Sequence, residues 1–246
     1  MGTVKRSIKR PEARVLIIGV GGLGSPLALV LAHAGVRTLG LADDDLIERT
    51  NLHRQILFDD ADVGLRKTDV ARRKLEPLGV HVEVHQSRLL PHNALDLVSR
   101  YDLVVEGSDN YPTKFLAADA CRLAEVPVVH GAAVRWVGTA LAVGPLGGPC
   151  YRCLFEDLPE GGGPNCATAG VVGPVVGIVA AVQADLALAL LDGQPVEGTL
   201  VTFDGKTDSL RRRSIAPRAS CPLCGLERTL RSIERSRYVP ADPCLP

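Results

Sequence analysis

Short runs of apolar residues recur along the first half of this chain, and stretches with helical periodicity separate them. Most of these runs are continuous, which is typical of strands that a parallel sheet buries on both faces, and the run at 80–86 alternates. Strands are predicted at Arg14–Gly19, Arg37–Ala42, Val80–Gln86, Tyr101–Glu106 and Val126–His130, and helices at Leu27–Ala34, Arg66–Leu75 and Thr113–Ala124. This alternation predicts a doubly wound sheet.

The pattern changes after His130, where longer strands flank one long apolar helix. Strands are predicted at Val134–Val143, Thr199–Phe203 and Leu210–Ile215, and a helix at Val171–Leu191. We therefore expect an α/β fold: a Rossmann-like, doubly wound, mainly parallel sheet that antiparallel strands extend. The predicted organisation is a single domain over residues 1–225, beginning with a short basic leader (1–13), and a C-terminal tail over 226–246. The stretch PEGGGP at 159–164 predicts a loop.

Composition narrows the class of protein. The 246 residues carry 28 basic and 28 acidic side chains, so the formal net charge is zero, which argues against a general nucleic-acid binder. The long apolar stretch contains Pro174, Gln183 and Asp185, so we interpret it as a buried helix and expect no membrane span. The N-terminus does not resemble a signal peptide, and we expect a cytoplasmic protein.

A glycine turn joins the first predicted strand to the first helix. Gly19 permits a tight turn, Gly21 lets the backbone approach a phosphate, and Gly24 lets helix and strand pack closely. Gly22 is a further candidate for cofactor binding in the same turn. Asp43 ends the second strand, where a carboxylate accepts hydrogen bonds from a ribose, and Asp45 is a second candidate ligand. Both features suit NAD, FAD and ATP alike.

Two cations beyond this turn favour ATP. Arg54 and Lys67 are candidates to stabilise the charge that develops on a leaving diphosphate, a role that hydride transfer does not require. Asn51 and Gln55 add neutral hydrogen-bonding groups. Asp109 follows a buried strand at its carboxyl end and is a candidate ligand for Mg²⁺, with helix capping as the alternative.

Taken together, these segments resemble the MoeB/ThiF family, the bacterial relatives of ubiquitin-activating enzymes. The matching blocks include GVGGLG (19–24), DDD (43–45), NLHRQ (51–55), VGLRK (63–67), SDN (108–110), CYRC (150–153), CATAGVVGP (166–174) and CPLCG (221–225). The resemblance implies adenylation of the C-terminal glycine of a small ubiquitin-like sulfur-carrier protein that ends in Gly-Gly. It also implies Asp43 at the ribose, Arg54 and Lys67 at the phosphates, Asp109 at Mg²⁺, and a homodimer.

Four cysteines form two Cys-x-x-Cys pairs. Cys150, Cys153, Cys221 and Cys224 have the paired spacing of a tetrahedral Zn²⁺ site that leaves no position for water, which predicts a structural metal. A redox pair or plain buried thiols are the alternatives. Cys166 matches a cysteine that bonds covalently to the activated carrier in relatives of the family, as a thioester or acyl disulfide, whereas other members work by adenylation alone.

The front of the chain departs from the family pattern. Members carry a longer leader with an arginine that reaches the ATP of the partner subunit, whereas only residues 1–13 precede the first strand here. The short leader keeps open a weakened family member that acts as a binding scaffold. An NAD-dependent oxidoreductase is a second alternative, which explains the glycine turn and Asp43 but leaves Arg54 and Lys67 unused.

Overall fold

One eight-stranded sheet organises the part of the chain that the structure describes, residues 9–159 and 169–238 of a computed structural model. The strands are β1 (Arg14–Ile18), β2 (Thr38–Ala42), β3 (His81–His85), β4 (Leu103–Glu106), β5 (Val128–Val134), β6 (Val137–Val143), β7 (Thr199–Asp204) and β8 (Ser209–Ser214). The helices are α1 (Gly24–Ala34), α2 (Lys67–Leu75), α3 (Ala94–Val98), α4 (Tyr111–Leu123), α5 (Tyr151–Leu154) and α6 (Gly173–Leu191).

The strand order is β3-β2-β1-β4-β5-β6-β7-β8. The first five strands are parallel and the last three pair antiparallel, so the predicted fold class is confirmed. Since strand order reverses on either side of β1, the carboxyl ends of β1, β2 and β4 open a crevice at this edge of the sheet.

Two apolar layers enclose the sheet. Helices α1, α2 and α6 cover one face, and α3 and α4 contribute to the layer on the other. By length and composition alone, helix α6 is long and apolar enough to cross a membrane. Within the protein, however, 61% of an 18-residue apolar stretch of this helix is buried. Its buried side packs on β5, β6 and α1, as predicted for a core helix.

The predicted strand at 134–143 was wrong in one respect. The chain reverses at Arg135 and Trp136, so residues 128–134 and 137–143 form a hairpin. The prediction missed this turn because Arg135 adopts a left-handed conformation, with φ of 53°, that Gly or Asn usually marks in a sequence. Helices α3 and α5 were also missed, since each spans at most five residues.

The segment after the second cysteine pair is packed in its described part. Leu230 and Tyr238 are buried, and the Tyr238 hydroxyl donates to Asp119 of α4 at 2.8 Å. Residues up to 238 therefore add to the α4 layer, although the predicted domain ends at residue 225.

Close packing of α6 on the hairpin depends on a glycine. A β-carbon on Gly138 would lie 2.1 Å from Val179 Cγ2. We expect Gly138→Ala to destabilise the protein by about 1–3 kcal/mol because helix and strand must separate. Gly177→Ala is the control: that site on α6 is open and exposed, so a gain of about 0.5–1 kcal/mol is expected. Urea unfolding measures both, and equal stability for the two variants would contradict this packing.

Candidate active site

A cavity of about 620 Å³ opens at the carboxyl edge of the sheet. Its first half lies over β1, β2 and β4, and its second half lies over β5, β6 and β7. Nearly all the site residues predicted from the sequence line the first half: Gly19, Gly21, Gly22, Asp43, Asp45, Asn51, Arg54, Gln55, Lys67 and Asp109. The fold thus brings together residues that are distant along the chain.

The glycine turn begins the cavity wall. Gly19 has φ of +84°, and its N–H donates to Ala42 at the end of β2. A β-carbon on Gly24 would lie 1.9 Å from the Gly19 carbonyl oxygen, whereas one on Gly21 would meet only Gln55, at 3.7 Å. Gly24 therefore lies beneath the turn and lets it form, and Gly21 faces the cavity.

Asp43 fixes this turn to the end of β2. One carboxylate oxygen accepts the Val20 N–H at 2.7 Å, and the other accepts the Asp45 N–H at 2.8 Å. Burial raises the pKa of Asp43, although Lys67 and the two backbone donors oppose the rise. Each oxygen keeps a second lone pair, so the carboxylate can still accept from a ribose hydroxyl.

Lys67 begins α2 and is buried against the acidic strand end. Its ammonium lies 2.7 Å from Asp45 Oδ2 and 3.9 Å from Asp43 Oδ1. Arg88, which sequence reasoning missed, follows β3 on the cavity wall and binds Asp44 at 2.7 Å and the second oxygen of Asp45 at 3.3 Å. Burial would raise the pKa of Asp45, but Lys67 and Arg88 outweigh it and lower the pKa.

The three carboxylates of residues 43–45 lie close enough to share a metal ion. Lys67 and Arg88 already provide their counter-charges, so we assign no metal there.

Arg54 lies beside the glycine turn. Its guanidinium donates to Asn51 Oδ1 at 2.6 Å, and its methylene groups pack over Gly22. Gln55 is buried beside Gly21, and its side-chain oxygen has no hydrogen-bond partner within the described residues. The predicted pair of cations, Arg54 and Lys67, therefore meets in one cavity.

Asp109 lies just beyond β4 and is exposed on the cavity wall. The cap of α4 is Asn110, whose side chain accepts the Thr113 N–H at 2.9 Å, so the alternative role of Asp109 as a helix cap was wrong. A carboxylate oxygen at this position has the chemistry that Mg²⁺ requires.

A buried charge network at the cavity wall was not predicted. Lys114 donates to Glu106 at 2.9 Å and to the Gly131 carbonyl at 2.5 Å, and His130 contacts Glu106 at 3.2 Å. The available signals were an acid ending an apolar strand and a lysine inside an apolar helix. This network joins β4, α4 and β5, and its members Lys114 and His130 form part of the cavity lining.

The network is held in one charge state. Burial alone would raise the pKa of Glu106, but Lys114 and the His130 hydrogen bond lower it to about 2. Burial lowers the pKa of His130, so this imidazole is neutral near pH 7. The Glu106 contribution to stability is therefore present above its ordinary pKa of 4.5 and is lost as the pH falls toward 2.

The four paired cysteines converge as predicted. Their sulfur atoms lie within 4.8 Å of one another, with Cys150 3.5 Å from Cys221 and Cys153 3.4 Å from Cys224. A Zn²⁺ ion about 2.3 Å from four tetrahedral sulfurs would hold them about 3.8 Å apart, so the cluster could hold zinc. No disulfide joins these four cysteines.

Helix α5 connects this cluster to the cavity. Tyr151, Leu154 and Phe155 line the cavity wall, while Cys150 and Cys153 contribute to the cluster. Arg152 points elsewhere, into a buried two-point ion pair with Asp119 at 2.8 and 2.9 Å. A metal at the cluster would therefore fix the cavity wall as well as the end of the chain.

Cys166 falls outside the described residues. Arg10 of the short basic leader pairs with Asp102 at 3.1 Å, just before β4 and at the opposite end of the strands from the cavity.

Comparison with known proteins identifies the family. Residues 7–223 match the model of the ThiF family. The chain belongs to the ThiF family. It is 41% identical to the SAMP-activating enzyme E1 of Haloferax volcanii over 93% of this chain and 86% of that protein. It is 40% identical to the sulfur carrier protein adenylyltransferase of Thermus thermophilus over 90% of this chain and 86% of that protein.

Longer relatives and solved structures add to this picture. The adenylyltransferase and sulfurtransferase MOCS3 of Anopheles gambiae is 39% identical over 92% of this chain, which spans about half of that protein's length (53%). Crystal structures of E. coli MccB, one with ATP, superpose with TM-scores of 0.76–0.77 at 23–24% identity, over 87% of this chain and 67% of theirs. At this identity the likeness shows the fold.

The different roles of two glycines are testable. We expect Gly21→Ala to keep the stability of the native protein but to weaken ATP binding more than about tenfold. The added β-carbon would occupy the space in the cavity where the backbone approaches the phosphates. We expect Gly24→Ala to destabilise the protein by about 3 kcal/mol or more because of its clash with the Gly19 carbonyl. Thermal unfolding and ATP titration separate the two effects, and unaltered ATP affinity in Gly21→Ala would contradict the assignment.

Metal content tests the cysteine cluster. We expect about one Zn²⁺ per chain in the purified protein and little in Cys221→Ser, with a lower melting temperature because metal binding adds to folding stability. Cys121→Ala removes a buried thiol of α4 outside the cluster and should retain the metal. Full zinc content in Cys221→Ser, measured by plasma mass spectrometry, would contradict the site.

Proposed function

We propose that this protein uses ATP to adenylate the terminal carboxylate of a small ubiquitin-like sulfur-carrier protein. The family and the named activities of the relatives support this function. One observation carries it further: Arg54 and Lys67 share a cavity with the glycine turn, and that cavity continues over β5–β7. The first half offers room for a nucleotide, and the second half offers room for the acceptor.

The chemistry follows from these positions. An oxygen of the carrier's carboxylate attacks the α-phosphorus of ATP, the bond to the bridging oxygen of the β-phosphate breaks, and diphosphate leaves. The charge that builds on the leaving group is stabilised by the guanidinium of Arg54 and the ammonium of Lys67. Asp109 would hold Mg²⁺ beside the triphosphate, where the ion supplies further charge compensation.

The carboxylate of Asp45 competes with a phosphate for the ammonium of Lys67. Asp45 accepts from Lys67 through one oxygen and from Arg88 through the other. Because the Arg88 guanidinium partly neutralises the same carboxylate, the electrostatic attraction between Asp45 and the Lys67 ammonium is weaker. We assign Arg88 a positioning role that keeps Lys67 available to a phosphate.

Other parts of the proposal concern the acceptor and the assembly. The second half of the cavity is lined by small or apolar side chains such as Ala132, Thr139 and Leu141, which suit a carrier tail that ends in Gly-Gly. Cys166 is the candidate nucleophile for a second step, in which its thiolate attacks the acyl carbon and releases AMP. We further propose a homodimer and a cytoplasmic location.

The rival functions have less support. An NAD-dependent oxidoreductase is not favoured, because the relatives are adenylyltransferases and hydride transfer has no use for the cations at the phosphate end. No specific observation favours a scaffold without activity.

Exchange of labelled diphosphate into ATP tests the proposal. We expect exchange that requires the carrier, and Arg54→Ala should lower it about 100-fold or more because one transition-state cation is lost. Arg49→Ala is the matched control, since Arg49 lies in the same polar segment but is exposed and pairs with Asp60. Normal exchange in Arg54→Ala would contradict the role of that residue, and no exchange in the native protein with any carrier would contradict the function.

A further inference from the structure

The antiparallel end of the sheet has two different faces. On one face, β5 and β6 pack on α6, where β-carbons on Gly131 and Gly138 would meet Gln183 and Val179. The other face carries the cavity wall, including Leu141 of β6 and Leu200 of β7, which are directly paired across the two strands. Side chains alternate between faces along a strand, so pairing register extends this assignment to β8.

Register places two arginines of β8 on the cavity face. Leu200 pairs with Arg213, and its neighbour on the same face, Thr202, pairs with Arg211. Arg212 must then lie on the opposite face, and its ion pair with Asp185 of α6 at 3.3 Å confirms that it does. Rows of paired residues therefore lead from the cavity across the sheet to Arg211 and Arg213.

The two arginines are exposed cations at the edge of the sheet. Among residues 9–159 and 169–238, neither guanidinium has a carboxylate within 4.0 Å. The nearest acid by register on this face is Asp204, which is opposite Ser209 and accepts the Lys206 N–H. Three consecutive arginines on an edge strand of a neutral chain concentrate positive charge at this place.

A short extended tail can span the distance between the two arginines and the cavity lining on β5. Strands are about 4.8 Å apart, so β8 lies about 14 Å from β5, where His130 and Ala132 line the cavity. An extended tail covers that span in about four or five residues, at about 3.3 Å per residue. The folded body of an acceptor whose tail enters the cavity would therefore lie at the β8 edge.

We propose that Arg211 and Arg213 bind an acidic surface on the folded body of the carrier while its tail occupies the cavity. This inference rests on the proposed function. The guanidinium forks recognise carboxylates in two-point contacts, and exposed charges at the rim of an interface act mainly on association and partner choice. The arginines thus select a carrier with acidic residues near the base of its tail.

Neutralising variants test the docking surface. In the full-length protein, Arg211→Gln/Arg213→Gln should raise the KM for the whole carrier about tenfold at low salt and less than about threefold at 0.5 M salt, with kcat unchanged. Arg212→Gln, the same change on the opposite face, should leave the KM within about twofold of the native value. Unfolding curves verify that both variants fold. An unchanged KM in the double variant would overturn the proposal.

A tail peptide separates this proposal from the function on which it rests. A peptide of about four residues that matches the carrier's C-terminus covers about 13 Å, so it fills the cavity but ends short of β8. We expect native protein and double variant to use this peptide with equal KM. An equal loss with peptide and whole carrier would overturn the docking surface, because the effect would then act inside the cavity. Native protein that exchanges with neither substrate would overturn the function itself, and the docking surface with it.

Discussion

The buried carboxylate of Asp43 holds the glycine turn against the end of β2. It accepts backbone N–H groups from Val20 and Asp45, one on each oxygen, at 2.7 and 2.8 Å. Those two bonds join the first strand-to-helix turn to the acidic segment that follows the second strand. Since Lys67 and Arg88 are then arranged around that segment, the electrostatics of the nucleotide half of the cavity depend on this one carboxylate.

Two buried carboxylates deeper in the fold also lie beside opposite charges. Glu106 has Lys114, and Asp119 has Arg152, with Tyr238 as a third partner. Removing one member of such a pair leaves an unpaired charge in the core, which is strongly destabilising. The two networks also join the strands, α4 and the cysteine cluster, so the walls of the acceptor half are positioned by buried ion pairs as well as by apolar packing.

Much of the architecture could be predicted from the sequence because apolar runs and glycines report directly on parallel strands and tight turns. The convergence of Arg54, Lys67 and Asp109 followed from the rule that the carboxyl ends of parallel strands share an edge. The hairpin at Arg135 was missed because its turn lacks the usual residues. Lys114 and Arg88 were missed since their roles depend on tertiary partners, Glu106 and Asp45, that no local pattern reveals.

The central claim is that the acceptor's carboxylate attacks the α-phosphorus of ATP. Transfer of isotope from a carrier labelled with ¹⁸O in its terminal carboxylate tests this most directly. When the adenylate is consumed by a thiol or amine at the acyl carbon, the bridging oxygen stays with the nucleotide, so the account predicts ¹⁸O in AMP and none in diphosphate. ADP as the product, with ¹⁸O in inorganic phosphate, would contradict it, because attack would then occur at the γ-phosphorus.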